Sequence, residues 1–307
     1  LKTFVFLCCF VLAHSALGGL EKYASLVKAD SPATTSAPPR RGVRITYLGT
    51  NAYLFETRDT TLLVDPYFSR QSLFRMALKL RPVPEENLIT RWLRDHRRID
   101  GVLVTHGHID HLYDAPRILR ETGAKLIASS TSVKLAESLG VSARQTCAVR
   151  AGRTLSLKNA IIHVLPAQHD RLFGAVPFNG PLRRLPPQKI GDWVTGEPLA
   201  FLIEIGGKRI FIDSGGRPND VISQKWRPID LAIAGVALRD SIQAVPQILA
   251  QLRPHYLLAS HQDNFFRPLN RGFVFAPMSD FPAVKAAAAA SSSELILLDY
   301  FRPWTLR

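Results

Sequence analysis

The chain has 307 residues, 46% hydrophobic and 21% charged, which excludes wholesale disorder and suffices for one large domain or two small ones. A formal net charge of +14 favours anionic partners such as phospholipid surfaces, nucleic acid or phosphorylated substrates. The basic residues come as scattered singles and pairs (Arg40-Arg41, Arg97-Arg98, Arg183-Arg184), so no specific nucleic-acid patch is expected.

Lys2 precedes a short apolar run from Thr3 to Ala13, followed by the small residues Ser15, Ala16, Gly18 and Gly19. This reads as an export signal over residues 1–20, or an uncleaved N-terminal anchor, and predicts an exported (periplasmic or extracellular) or membrane-anchored protein. Cys8 and Cys9 lie within that segment, which leaves Cys147 alone and no internal disulfide to be made. Residues 21–42 end in a Pro/Ser/Thr-rich stretch and read as a linker. One folded domain is expected over residues 43–307.

Strands are predicted at Val43 to Leu48, Ala52 to Glu56 and Thr61 to Val64, separated by Gly49-Thr50-Asn51 and Arg58-Asp59 turns. Pro84 to Arg97 has helical spacing, with Leu88, Ile89, Trp92 and Leu93 on one face. Gly101 to Val104 is a short buried strand, then Ala115 to Glu121 a helix, Lys125 to Ala128 a strand and Val133 to Leu139 a helix stopped by Gly140. Thr154 to Leu165 holds two strands around Asn159-Ala160, and residues 170–197 form an irregular insert rich in Pro, Gly and Arg. Leu199 to Ile205 and Arg209 to Ile212 form a hairpin around Gly206-Gly207. The last third alternates: strand Leu231 to Ala234, helix Ser241 to Leu252, strand Tyr256 to Ala259, helix Phe281 to Ala290, strand Glu294 to Leu298. Two strand-rich halves, each followed by strand–helix units, predict an α/β fold, a four-layer αββα sandwich with the helices outside two packed sheets.

Three of nine histidines crowd into Thr105-His106-Gly107-His108-Ile109-Asp110-His111, directly behind a predicted strand. Imidazoles at that density point to a metal. Spaced two apart, His106 and His108 can turn their rings the same way, and Asp110 and His111 can address a second position nearby. His169, Asp213 and His261 each end a strand pattern, and loops at strand ends are where such folds place their sites. His163 alternates within a strand, while His96 and His255 sit at a helix end and a turn; these three read as structural.

The run from Thr105 to His111 resembles the His-x-His-x-Asp-His signature of the metallo-β-lactamase-fold hydrolases, and His169, Asp213 and His261 follow in that family's order. Gly49, Asp65-Pro66 and Pro166-Ala167-Gln168-His169 look closest to the branch with ascorbate-phosphate lactonases and N-acylphosphatidylethanolamine phospholipase D. The resemblance implies that His106, His108 and His169 hold one metal, Asp110, His111 and His261 a second, and Asp213 bridges them. It implies two Zn²⁺, with Mn or Fe as alternatives, and a bridging hydroxide that Asp110 orients for hydrolysis. Asp65 and Thr105 are then candidates for fixing an imidazole tautomer, the alternative for Asp65 being a turn cap before Pro66.

A bridging Asp213 argues against a penicillin-degrading enzyme and fits hydrolysis of a phosphodiester, phospholipid-like or lactone substrate. Arg183 and Arg184 are candidates for reading a phosphate, or simply solvate a loop. Trp193 and Phe265-Phe266 either line a substrate pocket or pack. The expected partner is a small or lipid-like anionic substrate, with membrane-surface association open and no oligomeric state implied. Two alternatives stand beside the hydrolase: a mononuclear-iron dioxygenase of the same fold, and a binding protein that has lost catalysis.

Overall fold

The computed structural model describes residues 19–31, 38–218 and 226–307; residues 1–18 of the expected export segment lie outside them. Each half of the fold starts as an antiparallel meander and continues as parallel strands. β1 (Val43–Gly49), β2 (Ala52–Glu56) and β3 (Thr61–Val64) pair antiparallel. β4 (Gly101–Leu103), β5 (Lys125–Ala128) and β6 (Thr146–Ala148) then add in parallel. With β15 (Pro303–Leu306) on the outer side of β1, this makes a seven-stranded sheet in the order β15-β1-β2-β3-β4-β5-β6.

In the second half β7 (Thr154–Leu157), β8 (Ala160–His169), β9 (Leu199–Ile205) and β10 (Lys208–Ile212) pair antiparallel in succession. β12 (Leu231–Gly235), β13 (Tyr256–Ser260) and β14 (Glu294–Ile296) follow in parallel, and β11 (Gly216–Pro218) lies against the end of β8. Parallel strands need crossovers, and helices supply those between β3 and β6: α1 (Leu73–Ala77), α2 (Glu86–Asp95), α3 (Ile109–Leu112), α4 (Ala115–Thr122) and α5 (Ser130–Ser138). α6 (Arg239–Leu252) and α7 (Phe281–Ala289) serve the second half. β1, β3 and β12 are buried at every position, as strands covered on both faces must be. This is the predicted αββα sandwich.

Two elements depart from the sequence reading in ways that matter. β8 runs on to His169 rather than ending at Leu165, so that histidine is carried by a strand paired on both sides near its end. The expected linker 21–42 is partly docked: a 3₁₀ helix spans Leu20–Leu26, Tyr23 packs edge-on against Phe275 and Phe281 (ring centroids 5.5 and 4.6 Å apart), and Val27 bridges Leu297. β6, β11 and β15 and the short helices α1 and α3 are too brief to carry a readable period. No helix among the described residues is long and apolar enough to cross a membrane.

Phe201 lies at the middle of β9 with no exposed surface. Phe201→Ala is expected to cost about 3–5 kcal/mol, read as a lowered urea midpoint with an unchanged slope.

Candidate metal centre

The strand ends bring the predicted residues to one place. Nitrogen or carboxylate oxygen atoms of His106, His108 and His169 lie within 4.8 Å of one another, and so do those of Asp110, His111 and His261. The two groups adjoin, since the His106 and His111 rings are 4.1 Å apart, centroid to centroid. Asp213 belongs to neither trio.

Hydrogen bonds decide which nitrogen of each ring is free. His108 Nε2 faces the carbonyl of Pro177 at 2.9 Å, and a carbonyl only accepts, so Nε2 carries the proton and Nδ1 is a lone pair. His169 Nδ1 donates in the same way to the carbonyl of Asp170 at 2.8 Å, which frees Nε2. The Thr105 hydroxyl gives its hydrogen to Asp65 Oδ2 (2.6 Å) and so accepts from His106 Nδ1 (3.2 Å), freeing that ring's Nε2. The freed Nε2 of His106 and Nδ1 of His108 then face each other at 3.0 Å. Two lone pairs so close repel unless a cation lies between them. Burial, then the neighbouring imidazoles, holds His106 and His108 well below the usual histidine range, and burial brings His169 down to about 4. All three are therefore neutral donors at neutral pH, the form a metal requires.

The second trio is built around charge. His111 donates Nδ1–H to Asp65 Oδ2 at 2.9 Å and turns Nε2 towards Asp110 Oδ2 at 3.4 Å; His261 Nε2 approaches the same oxygen at 3.3 Å. Burial opposes charge on His111, but the Asp110 and Asp65 carboxylates outweigh it and raise the ring to about 10. Asp110, although buried, is held well below the usual carboxylate range by His111 and by hydrogen bonds from His111 and His261. Asp213 Oδ1 accepts the N–H groups of Gly235 (2.9 Å) and Gly215 (3.3 Å), while Oδ2 is buried with no partner, and burial raises the group to about 7. Converging imidazole nitrogens, ionised carboxylate and an orphaned carboxylate oxygen fit a pair of divalent cations bound through nitrogen and oxygen.

Asp65 does more than cap a turn. Its carboxylate also accepts from Asn51 Nδ2 (2.9 Å) and the backbone N–H of Thr105 (2.8 Å), so it ties the β1–β2 turn, the metal loop and the His111 ring together. It sits at φ 42°, and Thr50 and His261 at φ 56° and 55°, backbone positions that cost energy and persist only when the surroundings enforce them. The enforcement comes from residues the sequence reading missed. Arg70 and Asp263 form a buried ion pair at 2.5 Å. Asp263 further accepts from Tyr47, Tyr300 and the N–H of Thr50, and the Thr50 carbonyl accepts the N–H of His261 at 2.8 Å. Asp263 follows His261 by two residues, a weak clue; Arg70 offered none.

Other missed partners include Ser214, whose hydroxyl lies 3.2 Å from His106 Nδ1, and Thr195, whose hydroxyl lies 2.7 Å from His108 Nε2. Gly107 allows the insert to come this close, because a Cβ there would meet the Val194 carbonyl at 2.4 Å. Three candidates are not brought to the centre. Trp193 is 1% exposed and packs edge-on against Tyr113, so it is a core residue rather than a pocket lining. Arg183 and Arg184 are exposed, and Arg184 donates to Gln188 at 2.7 Å rather than reaching inward. Phe265, set edge-on to the His261 ring at 4.9 Å, and Phe178, edge-on to the His108 ring at 5.9 Å, are aromatics beside the centre.

A family model for the metallo-beta-lactamase superfamily matches residues 45–155, the stretch that contains His106, His108, Asp110 and His111. Over that stretch the chain is similar to the metallo-beta-lactamase superfamily. A UPF0173 metal-dependent hydrolase of Carboxydothermus hydrogenoformans is 25% identical over 231 residues, covering 73% of this chain and 86% of that protein. One of Myxococcus xanthus is 26% identical over 197 residues, covering 63% of this chain, which spans only 60% of the relative's length. Among solved structures, a metallo hydrolase from the archaeon Ignicoccus hospitalis superposes with a TM-score of 0.57 at 17% identity, over 86% of this chain and 98% of that one, a likeness of fold.

Gly235→Ala would drive a Cβ to 1.8 Å from the Gly215 nitrogen, so the Asp213 turn must open. The expected result is a destabilisation of about 1–3 kcal/mol together with reduced metal content, read by thermal unfolding and elemental analysis. For Asp263, burial opposes ionisation, but Arg70 beside it and hydrogen bonds from Tyr300, Arg70 and Thr50 depress its pKa. Its contribution is therefore complete above the unfolded value of about 3.9 and is lost as pH falls through the lower folded value. Asp263→Asn leaves a buried arginine unpaired and should cost about 3–5 kcal/mol at pH near 7. The gap from wild type should narrow below pH of about 4, as measured by thermal unfolding across pH.

Proposed function

We propose that the protein is a metal-dependent hydrolase with two adjacent metal sites, acting on a phosphodiester or lactone. The observation that carries this is the convergence of three neutral imidazole nitrogens beside a carboxylate–imidazole trio, with a buried carboxylate oxygen of Asp213 left free. His106, His108 and His169 would hold one metal and Asp110, His111 and His261 the other, and Asp213, whose Oδ2 is buried without a partner, would supply a further carboxylate. When bound, such metals supply Lewis acidity and lower the pKa of water towards neutrality.

The chain's own residues prepare the site. Thr105, Pro177 and Asp170 hold His106, His108 and His169 in the tautomers that present a lone pair inward, and Asp65 fixes the orientation of the His111 ring. Asp110 stays ionised at neutral pH and can take the proton released by an attacking water. Burial of His106, His108 and Asp213 keeps competing water out and strengthens every charge interaction at the reacting centre. The relatives' names, metal-dependent hydrolases, support the reaction class. A mononuclear-iron dioxygenase keeps a similar motif, and the identity of the bound metal separates the two readings.

Elemental analysis of the purified protein should give about two zinc, manganese or iron ions per chain, with turnover of bis(p-nitrophenyl) phosphate or of a simple lactone. His108→Ala and Asp213→Ala should each lower turnover by at least about a hundredfold, beyond the usual cost of losing an outer partner, with the fold retained by circular dichroism. A single iron without hydrolysis would move the protein to the dioxygenase class, and wild-type rates in either variant would refute the two-site reading.

A further inference from the structure

The centre meets solvent at His169, the one member of the first trio that is not fully buried. Two segments lie on that side: residues 71–84, which carry α1, and residues 171–189, which follow His169 directly. They are joined to each other and to the centre. The N–H of Ile190 donates to the Leu80 carbonyl at 3.0 Å, Lys79 Nζ lies 5.7 Å from the Phe178 ring centroid, and Phe178 sits edge-on to His108 at 5.9 Å.

These segments have an unusual surface. They contain Arg75, Lys79 and Arg81 in the first and Arg171, Arg183, Arg184 and Lys189 in the second, with no Asp or Glu, half of the formal +14 of the whole chain. They also expose Phe74 (58%), Leu78 (49%), Val83 (52%), Phe173 (73%) and Leu185 (47%), five of the eight exposed large apolar side chains among the described residues. Phe74 lies in α1 and Leu78 caps its end four residues on, its N–H bonded to the Phe74 carbonyl at 3.1 Å, so the two side chains neighbour each other. Phe173 is held out at the tip of a turn closed by mutual backbone bonds between Leu172 and Ala175. Glu85, Glu86 and Asp192 adjoin these segments, the last accepting from the Gln188 and Lys189 N–H groups, but the segments themselves carry no anion. Apolar tips concentrated among cations are costly in water and match a surface that is apolar beneath and anionic above.

We propose that residues 71–84 and 171–189 form a docking surface for an anionic phospholipid bilayer. Phe74, Leu78 and Phe173 enter the acyl boundary, and the seven cations pair with lipid phosphates. Docked in this way, the His169 opening faces the headgroup layer. Aliphatic Leu78, Val83 and Leu185 are poor platforms for stacking bases, which favours lipid over single-stranded nucleic acid as the occupant. The surface stands independently of the hydrolase reading, since it requires neither metal nor turnover. It also gives Arg183 and Arg184 a role consistent with their exposure.

The test is co-sedimentation of the full chain with vesicles of phosphatidylcholine alone and of phosphatidylcholine mixed with phosphatidylglycerol, in low and high salt. Wild type should bind the anionic vesicles and scarcely the neutral ones, with binding weakened by salt. Combined Phe74→Ser, Leu78→Ser and Phe173→Ser should reduce partitioning about tenfold or more, and Arg183→Glu with Arg184→Glu should do the same, both with an unchanged melting temperature. Binding by both variants equal to wild type would assign membrane contact to another part of the chain and overturn the proposal. So would equal wild-type binding to neutral and anionic vesicles, no vesicle binding at all, or binding to an RNA oligonucleotide that the apolar substitutions leave intact and that outcompetes the vesicles.

Discussion

The imidazoles of His106, His108, His111 and His261 and the carboxylates of Asp65, Asp110 and Asp213 are taken out of water together, with His169 half-buried beside them, and the rest of the site is organised by the need to make that tolerable. A buried polar atom without a partner is costly, so His106, His108 and His169 each tie one ring nitrogen to an outer partner and leave the other turned inward, and His111 ties Nδ1 to Asp65. Asp65 answers most of this demand. One carboxylate receives the Asn51 amide, the Thr105 backbone and hydroxyl, and the His111 ring. The backbone carbonyls of Pro177 and Asp170 do the same for His108 and His169. The outer partners thus set the chemistry of the inner nitrogens before any metal binds.

That arrangement has a conformational cost, and the fold meets it with rigid elements. Thr50, Asp65 and His261 occupy left-handed backbone positions at the ends of strands, where well-paired β1, β3 and β13 fix one side of each residue. The other side is fixed by the Arg70–Asp263 pair and the two tyrosines around it. A buried ion pair of this kind adds little to net stability, yet it is strongly directional. Here it locks three loops from distant parts of the chain into one register. The insert 170–197, by contrast, is tied to the centre at Pro177 and Thr195 and exposes much of what lies between, which leaves its surface free for contacts outside the molecule.

Much of this could be read in advance, for reasons that lie in local chemistry. The strand runs from Val43 to Val64 and from Leu199 to Ile212 are long and apolar, and their turns carry Gly, Asn or Asp. The cluster from His106 to His111 is dense enough to announce a metal by itself. His169, Asp213 and His261 were legible as strand-end residues, although β8 extends four residues beyond its expected end and carries His169 within it. What escaped is short or remote: three-residue strands without a period, a 3₁₀ helix in an apparent linker, and Arg70, whose partner is 193 positions away. Trp193 shows the converse error, since an aromatic in a polar insert can as easily turn into the core as line a pocket.

The sequence by itself determined the layer architecture and singled out the histidines and carboxylates that converge, because periodicity and residue chemistry are local and survive without coordinates. The tertiary structure alone decided which nitrogen of each histidine faces inward, that Asp65 binds a ring rather than merely capping a turn, and that Arg183, Arg184 and Trp193 stand away from the centre. Those outcomes depend on which backbone carbonyl or carboxylate lies within 3 Å or so of a given atom. Such distances are fixed by how two sheets and an insert pack, and no spacing along the chain encodes them.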